Sequence, residues 1–197
     1  MTFAELLIEL RVEISDTDKT EWTDTALMAF INRALKRLHS IIIRNELPFA
    51  LMSEAYTVED TDLLALPATF MVQHCLYRQD TGKKLQMLTD DRWERMSDPG
   101  DGAWRFVGTD IQISSNIPED CDLKLYYFQS YQRESDVQED VIYGDEIWDN
   151  IIVYAAFLSK NVDEFDMSID TQILSDIESQ MIMLYSRNVP QVARLEP

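Results

Sequence analysis

Trp22-Thr23-Asp24-Thr25-Ala26-Leu27 opens the segment whose reading decides the fold class. With Thr23 as N-cap, Trp22 stands at N′ and Leu27 at N4, the two positions that close a hydrophobic staple over a helix start. The apolar residues then recur at helical spacing through Phe30, Ile31, Ala34, Leu35, Leu38, Ile41 and Ile42. The helix is predicted to stop near Asn45, because Pro48 disfavours helical geometry just before it. Its other side is basic: Arg33, Arg37 and Arg44, with Lys36 beside them, share one face. Such a face is either solvated and balances an acidic protein, or it is a docking strip for an acidic partner or a neighbouring copy.

Upstream, Phe3, Leu6, Leu7, Leu10 and Ile14 predict a helix over Thr2 to about Ser15, and Thr2 and Glu5 have capping-box spacing. A polar loop, 16–21, joins the two helices. Downstream of Phe49 the period changes to two. Tyr56 to Val58, Leu63 to Leu66, Phe70 to Tyr77, Leu85 to Leu88, Trp104 to Val107, Ile111 to Ile113 and Leu123 to Phe128 read as short strands of an antiparallel β region. Asp80-Thr81-Gly82 and Gly108-Thr109-Asp110 are the expected hairpin turns. A short helix over about Asp90 to Met96 interrupts the strands before a loose loop, 98–102. An acidic stretch, 134–149, leads into a third main helix through Ile147, Trp148, Ile151, Ile152, Tyr154, Ala155 and Leu158. That helix is apolar on more than half its circumference and therefore central to the core. Asp145, Glu146 and Asp149 are expected in its first turn, where negative charge meets the positive end of the helix dipole. A fourth helix, about Ser168 to Ser186, carries Ile169, Ile173, Ile177, Met181 and Leu184 along one stripe. The expected architecture is α+β: a bundle of four main helices with an inserted antiparallel β region. It is read as one domain, 1–197, divided into 1–48, 49–131, 145–187 and a tail, 188–197.

Composition narrows the function. The longest apolar runs, such as Ile151 to Leu158, fall far short of a bilayer span, so no membrane protein is expected. The first residues, Met1-Thr2-Phe3-Ala4-Glu5, lack the basic start of a secretory signal, which points to synthesis in the cytoplasm. Lys and Arg number 17 against 36 Asp and Glu, a net charge of −19, so the chain is a poor candidate for gripping nucleic acid. An acidic surface facing DNA discourages sticking, and the same charge equally serves plain solubility. Cys75 and Cys121 have neither CxxC spacing nor a paired histidine and read as buried thiols. His39 and His74 have no carboxylate or nucleophile at motif spacing, and no GxSxG, HExxH, GxxxxGK[ST] or GxGxxG occurs. No catalytic residue, cofactor or metal is expected. Acid pairs such as Asp90-Asp91 and Glu139-Asp140 are all that a carboxylate hydrolase or a divalent cation would need.

Taken in order, these residues resemble a known family. They are the Phe3-Ala-Glu-Leu-Leu7 helix, Trp22-Thr-Asp24 followed by Leu27 and Phe30-Ile31-Asn32-x-Ala34, Leu47-Pro48-Phe49, and Leu64-Ala-Leu66-Pro67. Trp104-Arg-Phe106, Ile111-Gln-Ile113, Leu123 to Tyr127, and Ile147-Trp148-Asp149 with Tyr154-Ala155-Ala156 complete the series. Over nearly the whole chain the pattern is similar to the head-to-tail connector, or tail adaptor, proteins of tailed bacteriophages. The resemblance implies a structural virion protein of the neck, made in the bacterial host cytoplasm. It implies a ring, typically of twelve copies, beneath the capsid portal and above a downstream tail or nozzle protein, through which DNA passes without specific binding. The C-terminal segment would reach the portal. On this chain that segment contains Val189, Pro190, Val192, Arg194 and Leu195, which join Arg33, Arg37 and Arg44 as expected interface residues. Two other classes remain open from residues alone: a carboxylate-based hydrolase of cell-wall glycans, and an acidic module that binds a basic partner protein.

Overall fold

The structure, a computed structural model, describes residues 2–59, 62–95, 102–131, 147–161 and 167–188. The chain forms two compact units, one of Met1–Ala50 with Tyr131–Pro197 and one of Leu51–Ser130.

The first unit is helical: α1 Phe3–Glu13, α2 Asp24–Arg44, a single 3-10 turn Pro48–Ala50, α4 Trp148–Lys160 and α5 Met167–Asn188. Thr2 and Glu5 close the expected capping box, each side chain meeting the other's backbone N–H. Thr23 caps α2 through Ala26 N–H, while the Trp22 ring meets Phe30 edge-on at 5.3 Å, one turn beyond the expected staple partner. Both helices end alike. At α1, Ser15 N–H bonds to Val12 and Asp16 N–H to Arg11; at α2, Glu46 N–H bonds to Ile43 and Leu47 N–H to Ile42. These are Schellman closures, and they place Ser15 at φ 62° and Glu46 at φ 51° without a glycine. α2 thus stops at its C-cap Asn45, where the sequence places the end, and the backbone closure completes it ahead of Pro48.

α4 packs against both α1 and α2 and supplies the centre of this unit's core. Phe3, Leu6 and Leu10, Leu27, Ile31, Leu35, Leu38 and Ile42, and Ile151 and Ala155 are almost wholly excluded from water. Each of these leucine, isoleucine and phenylalanine side chains contributes roughly 1.5–3 kcal/mol. α5 is attached more sparsely. Ile177 and Met181 are buried, but Ile169, expected at the head of its stripe, is exposed and Asp170 turns inward instead.

Among the described residues the second unit contains seven strands and α3 Asp90–Glu94. β1 Leu51–Thr57, β7 Asp122–Gln129 and β3 Phe70–Arg78 form one antiparallel sheet in the order β1-β7-β3. β2 Leu63–Ala65, β6 Asp110–Ile113, β5 Ala103–Val107 and β4 Gln86–Met87 form the other, in the order β2-β6-β5-β4. The β4–β5 pair is parallel, so this sheet is mixed and not wholly antiparallel as expected. β5 and β6 join through Gly108-Thr109, with Val107 opposite Asp110, and Gly108 takes φ 62°, which the tight hairpin requires. The two sheets share one core around Leu76, Trp104, Ile111, Leu123 and Leu125.

Candidate docking surface

Between Asp24 and Glu46 the sequence holds no acidic residue, so α2 is a cationic element in an anionic chain. Its buried stripe turns Arg33, Lys36, Arg37, Ser40 and Arg44 outward. Arg33, Lys36, Arg37 and Ser40 line a groove of about 460 Å³ with Tyr154 and Leu158 of α4. Among the described residues no carboxylate pairs with Arg33, Lys36 or Arg37. Arg44 belongs elsewhere: its Nη2 lies 2.5 Å from Glu178 Oε2 of α5, and Asn45 Nδ2 donates to Glu178 Oε1 at 2.6 Å. Below the groove the buried Tyr154 hydroxyl donates to Asp170 Oδ1 at 2.6 Å. Burial first, then Asp170, raises the Tyr154 pKa well above its ordinary value.

Among the described residues the carboxylates with displaced pKa values are all displaced downward, the opposite of what a general acid requires. Asp16 is held low chiefly by Glu21 N–H, Asp24 by Arg11, Asp80 by Arg78 and Glu178 by Asn45. Asp90 of the adjacent pair accepts from Arg105 at 3.3 Å. No group of three or more metal-ligating side chains occurs among the described residues.

A family model described as SU10 adaptor protein matches residues 1–190. The chain belongs to this family. Comparison with curated proteins gives no match. As an SU10 adaptor the protein is a phage head-tail adaptor, a structural connector that contacts other head and tail proteins of the virion. No helix among the described residues is long and apolar enough to cross a membrane.

The expected interface residues of this SU10 adaptor separate into three groups. Arg33 and Arg37 come together at the groove with Lys36; Arg44 is drawn to α5; Val189, Pro190, Val192, Arg194 and Leu195 lie outside the described residues. Glu139, Asp140, Asp145, Glu146 and most of the acidic stretch also lie outside them. Asp149 occupies the first turn of α4 as expected. His39 is buried, with its ring 6.1 Å from that of Tyr131. His74 stands edge-on to Phe128 in β3, and burial raises the pKa of both free thiols, Cys75 and Cys121.

Proposed function

We propose that this adaptor is a ring component of the virion neck, with about twelve copies seated between the capsid portal and a downstream tail or nozzle protein and enclosing the passage for DNA. The observation that carries this reading is the α2 groove. Three exposed cations without an acidic partner among the described residues stand on one face of a chain whose net charge is −19, an arrangement suited to holding an anionic protein surface. The chain acts as one adaptor module, 1–197, whose four long helices work as a bundle and whose segment 188–197, with Val189, Pro190, Val192, Arg194 and Leu195, reaches the portal. Arg44 supports the strip from its pairing with Glu178. The mechanism is geometric and needs no cofactor: ring closure makes each copy hold two neighbours, and excess carboxylate lets DNA slide past without adhering.

Native mass spectrometry of the protein, alone and with portal protein, tests the reading. A ring, or a complex in portal stoichiometry, is expected, and truncation after Asn188 is expected to weaken portal binding. A monomer that persists at high concentration and ignores the portal would overturn it.

A further inference from the structure

The helical unit carries a second surface that its core does not use. Ile8 and Val12, one turn apart on α1, are 64% and 63% exposed, and Val153 on α4 is 49% exposed. A groove of about 420 Å³ runs between these helices, lined by Glu9, Val12, Glu13, Asp149, Ile152 and Val153. Aliphatic side chains this exposed, rimmed by carboxylates, are the composition of a contact surface and not of a solvated helix back. Lys160 approaches only one end of it, its Nζ lying 3.4 Å from the Glu13 carbonyl oxygen.

This acidic, apolar groove and the basic groove of α2 occupy different flanks of the same helix. At 100° per residue, Tyr154 and Leu158 stand roughly 100° and 140° around the α4 axis from Val153. The two surfaces are also complementary. One offers Glu9, Glu13 and Asp149 around protruding aliphatics; the other offers Arg33, Lys36 and Arg37 around the half-buried Leu158. A self-complementary patch would generate a two-fold dimer, whereas two unlike, complementary patches on separate flanks generate a head-to-tail contact that repeats until it closes.

We propose that the acidic α1–α4 groove of one copy docks on the basic α2–α4 groove of the next. The inference rests on the ring reading and adds which faces make the ring. A second copy is the occupant that charge selects. Two chains of net −19 repel in most orientations, and the exposed cations of α2, which have no carboxylate partner among the described residues, find their charge complement in the same molecule.

Charge reversal separates this contact from others. Arg33→Glu/Arg37→Glu and Glu9→Lys/Glu13→Lys each remove one face, at exposed positions where circular dichroism should show an unchanged fold. By sedimentation velocity and native mass spectrometry, each double variant should self-associate at least about tenfold more weakly than the parent protein. An equimolar mixture of the two should assemble again with the variants alternating, since it offers one native and one reversed pair of complementary faces, and all four changes in one chain should likewise restore extended assembly. Should either variant misfold, Val12→Cys and Lys36→Cys proteins, mixed and oxidised, should give the mixed disulfide well above either homodimer. If the parent assembles while both charge variants assemble equally well, or the mixed disulfide does not form, the faces are wrong and the ring reading stands. If the parent remains monomeric with and without portal protein, the ring reading fails and this contact with it.

Discussion

Arg11 Nη1 donates to Asp16 Oδ2 at 2.5 Å, joining the third-last residue of α1 to the second residue past its cap. In many Schellman closures these two positions touch through apolar side chains; here a buried ion pair takes their place. Arg11 Nη2 continues to Trp22 O at 3.0 Å and Asp24 Oδ1 at 2.6 Å, while Asp16 accepts N–H bonds from Thr20, Glu21 and Trp22. One carboxylate therefore organises the whole α1–α2 connection.

Asp16→Asn should weaken the fold in a pH-dependent way. Glu21 N–H, Trp22 N–H, Thr20 N–H and Arg11 hold the Asp16 carboxyl below its ordinary value of 3.8, against the effect of burial. A depressed carboxyl pKa stabilises the fold fully above the unfolded value and loses that contribution as pH falls through the folded one. Thermal melts should show the variant about 5 °C lower than the parent at pH 7. The gap should narrow below about pH 4 and close once Asp16 is protonated. A gap that is constant from pH 7 to pH 2.5 would show that charge is not its source.

Ser15→Gly should act in the opposite direction. Ser15 is exposed at φ 62°, a conformation that costs an L-residue energy and glycine little. Urea unfolding should show a midpoint increase corresponding to up to about 1 kcal/mol, with the m-value unchanged.

Elements with a periodic burial were legible in the sequence, and those built by long-range pairing were not. β7 alternates buried and partly exposed residues along most of its length, so its register is written in Leu123, Leu125 and Tyr127. β1 begins five residues before its predicted start because Leu51 to Ala55 lie on an edge strand exposed on nearly every residue. The parallel β4–β5 pairing involves two residues on each strand, too few to leave a pattern. At the candidate surface, Arg33, Lys36 and Arg37 follow from helical spacing alone. The diversion of Arg44 does not, since its partner Glu178 is 134 residues away. Asp170 likewise defeats the apolar stripe because Tyr154 gives it a donor that no local pattern announces.

Gly102→Ala should be among the costliest small substitutions in the β unit. Gly102 sits at φ 114°, and a Cβ there would lie 2.9 Å from Ile117 Cγ1 and 3.1 Å from Leu85 Cδ2, both side chains buried in the shared core. Strain and overpacking together should cost roughly 2–4 kcal/mol. Gly108→Ala, at φ 62° with open space around it, should cost about 1 kcal/mol. Urea midpoints of the two variants check the order, and equal losses would contradict the packing argument.

Glu178→Gln should loosen α5 without unfolding its neighbours. Glu178 joins α5 to Asn45 and Arg44 at the end of α2, but the Arg44 side chain is 65% exposed, so the pair stabilises by at most about 1 kcal/mol. The carboxyl is held below its ordinary 4.5 by Asn45 first and then Arg44, so its contribution is complete above that value and disappears as pH falls through the depressed one. Hydrogen exchange at pH 7 should quicken across α5 and remain unchanged in α2. Uniform acceleration in both helices would mean that the contact is not local.

Tyr154→Phe tests the floor of the basic groove. The Tyr154 hydroxyl is the donor to Asp170 Oδ1, and both groups are buried, so its removal leaves a carboxylate oxygen poorly solvated. The expected cost is about 1–3 kcal/mol at neutral pH. Because burial and Asp170 raise the phenol's pKa, its stabilising contribution is whole below the unfolded value near 10 and is lost as pH rises towards the folded one. Denaturant unfolding should therefore show the parent's advantage over the variant intact at pH 8 and declining above pH 10. Exchange should quicken first in the opening turns of α5, where Asp170 is held. If those turns stay protected, Tyr154 is a packing residue alone, and the groove above it has a floor that does not depend on the hydrogen bond.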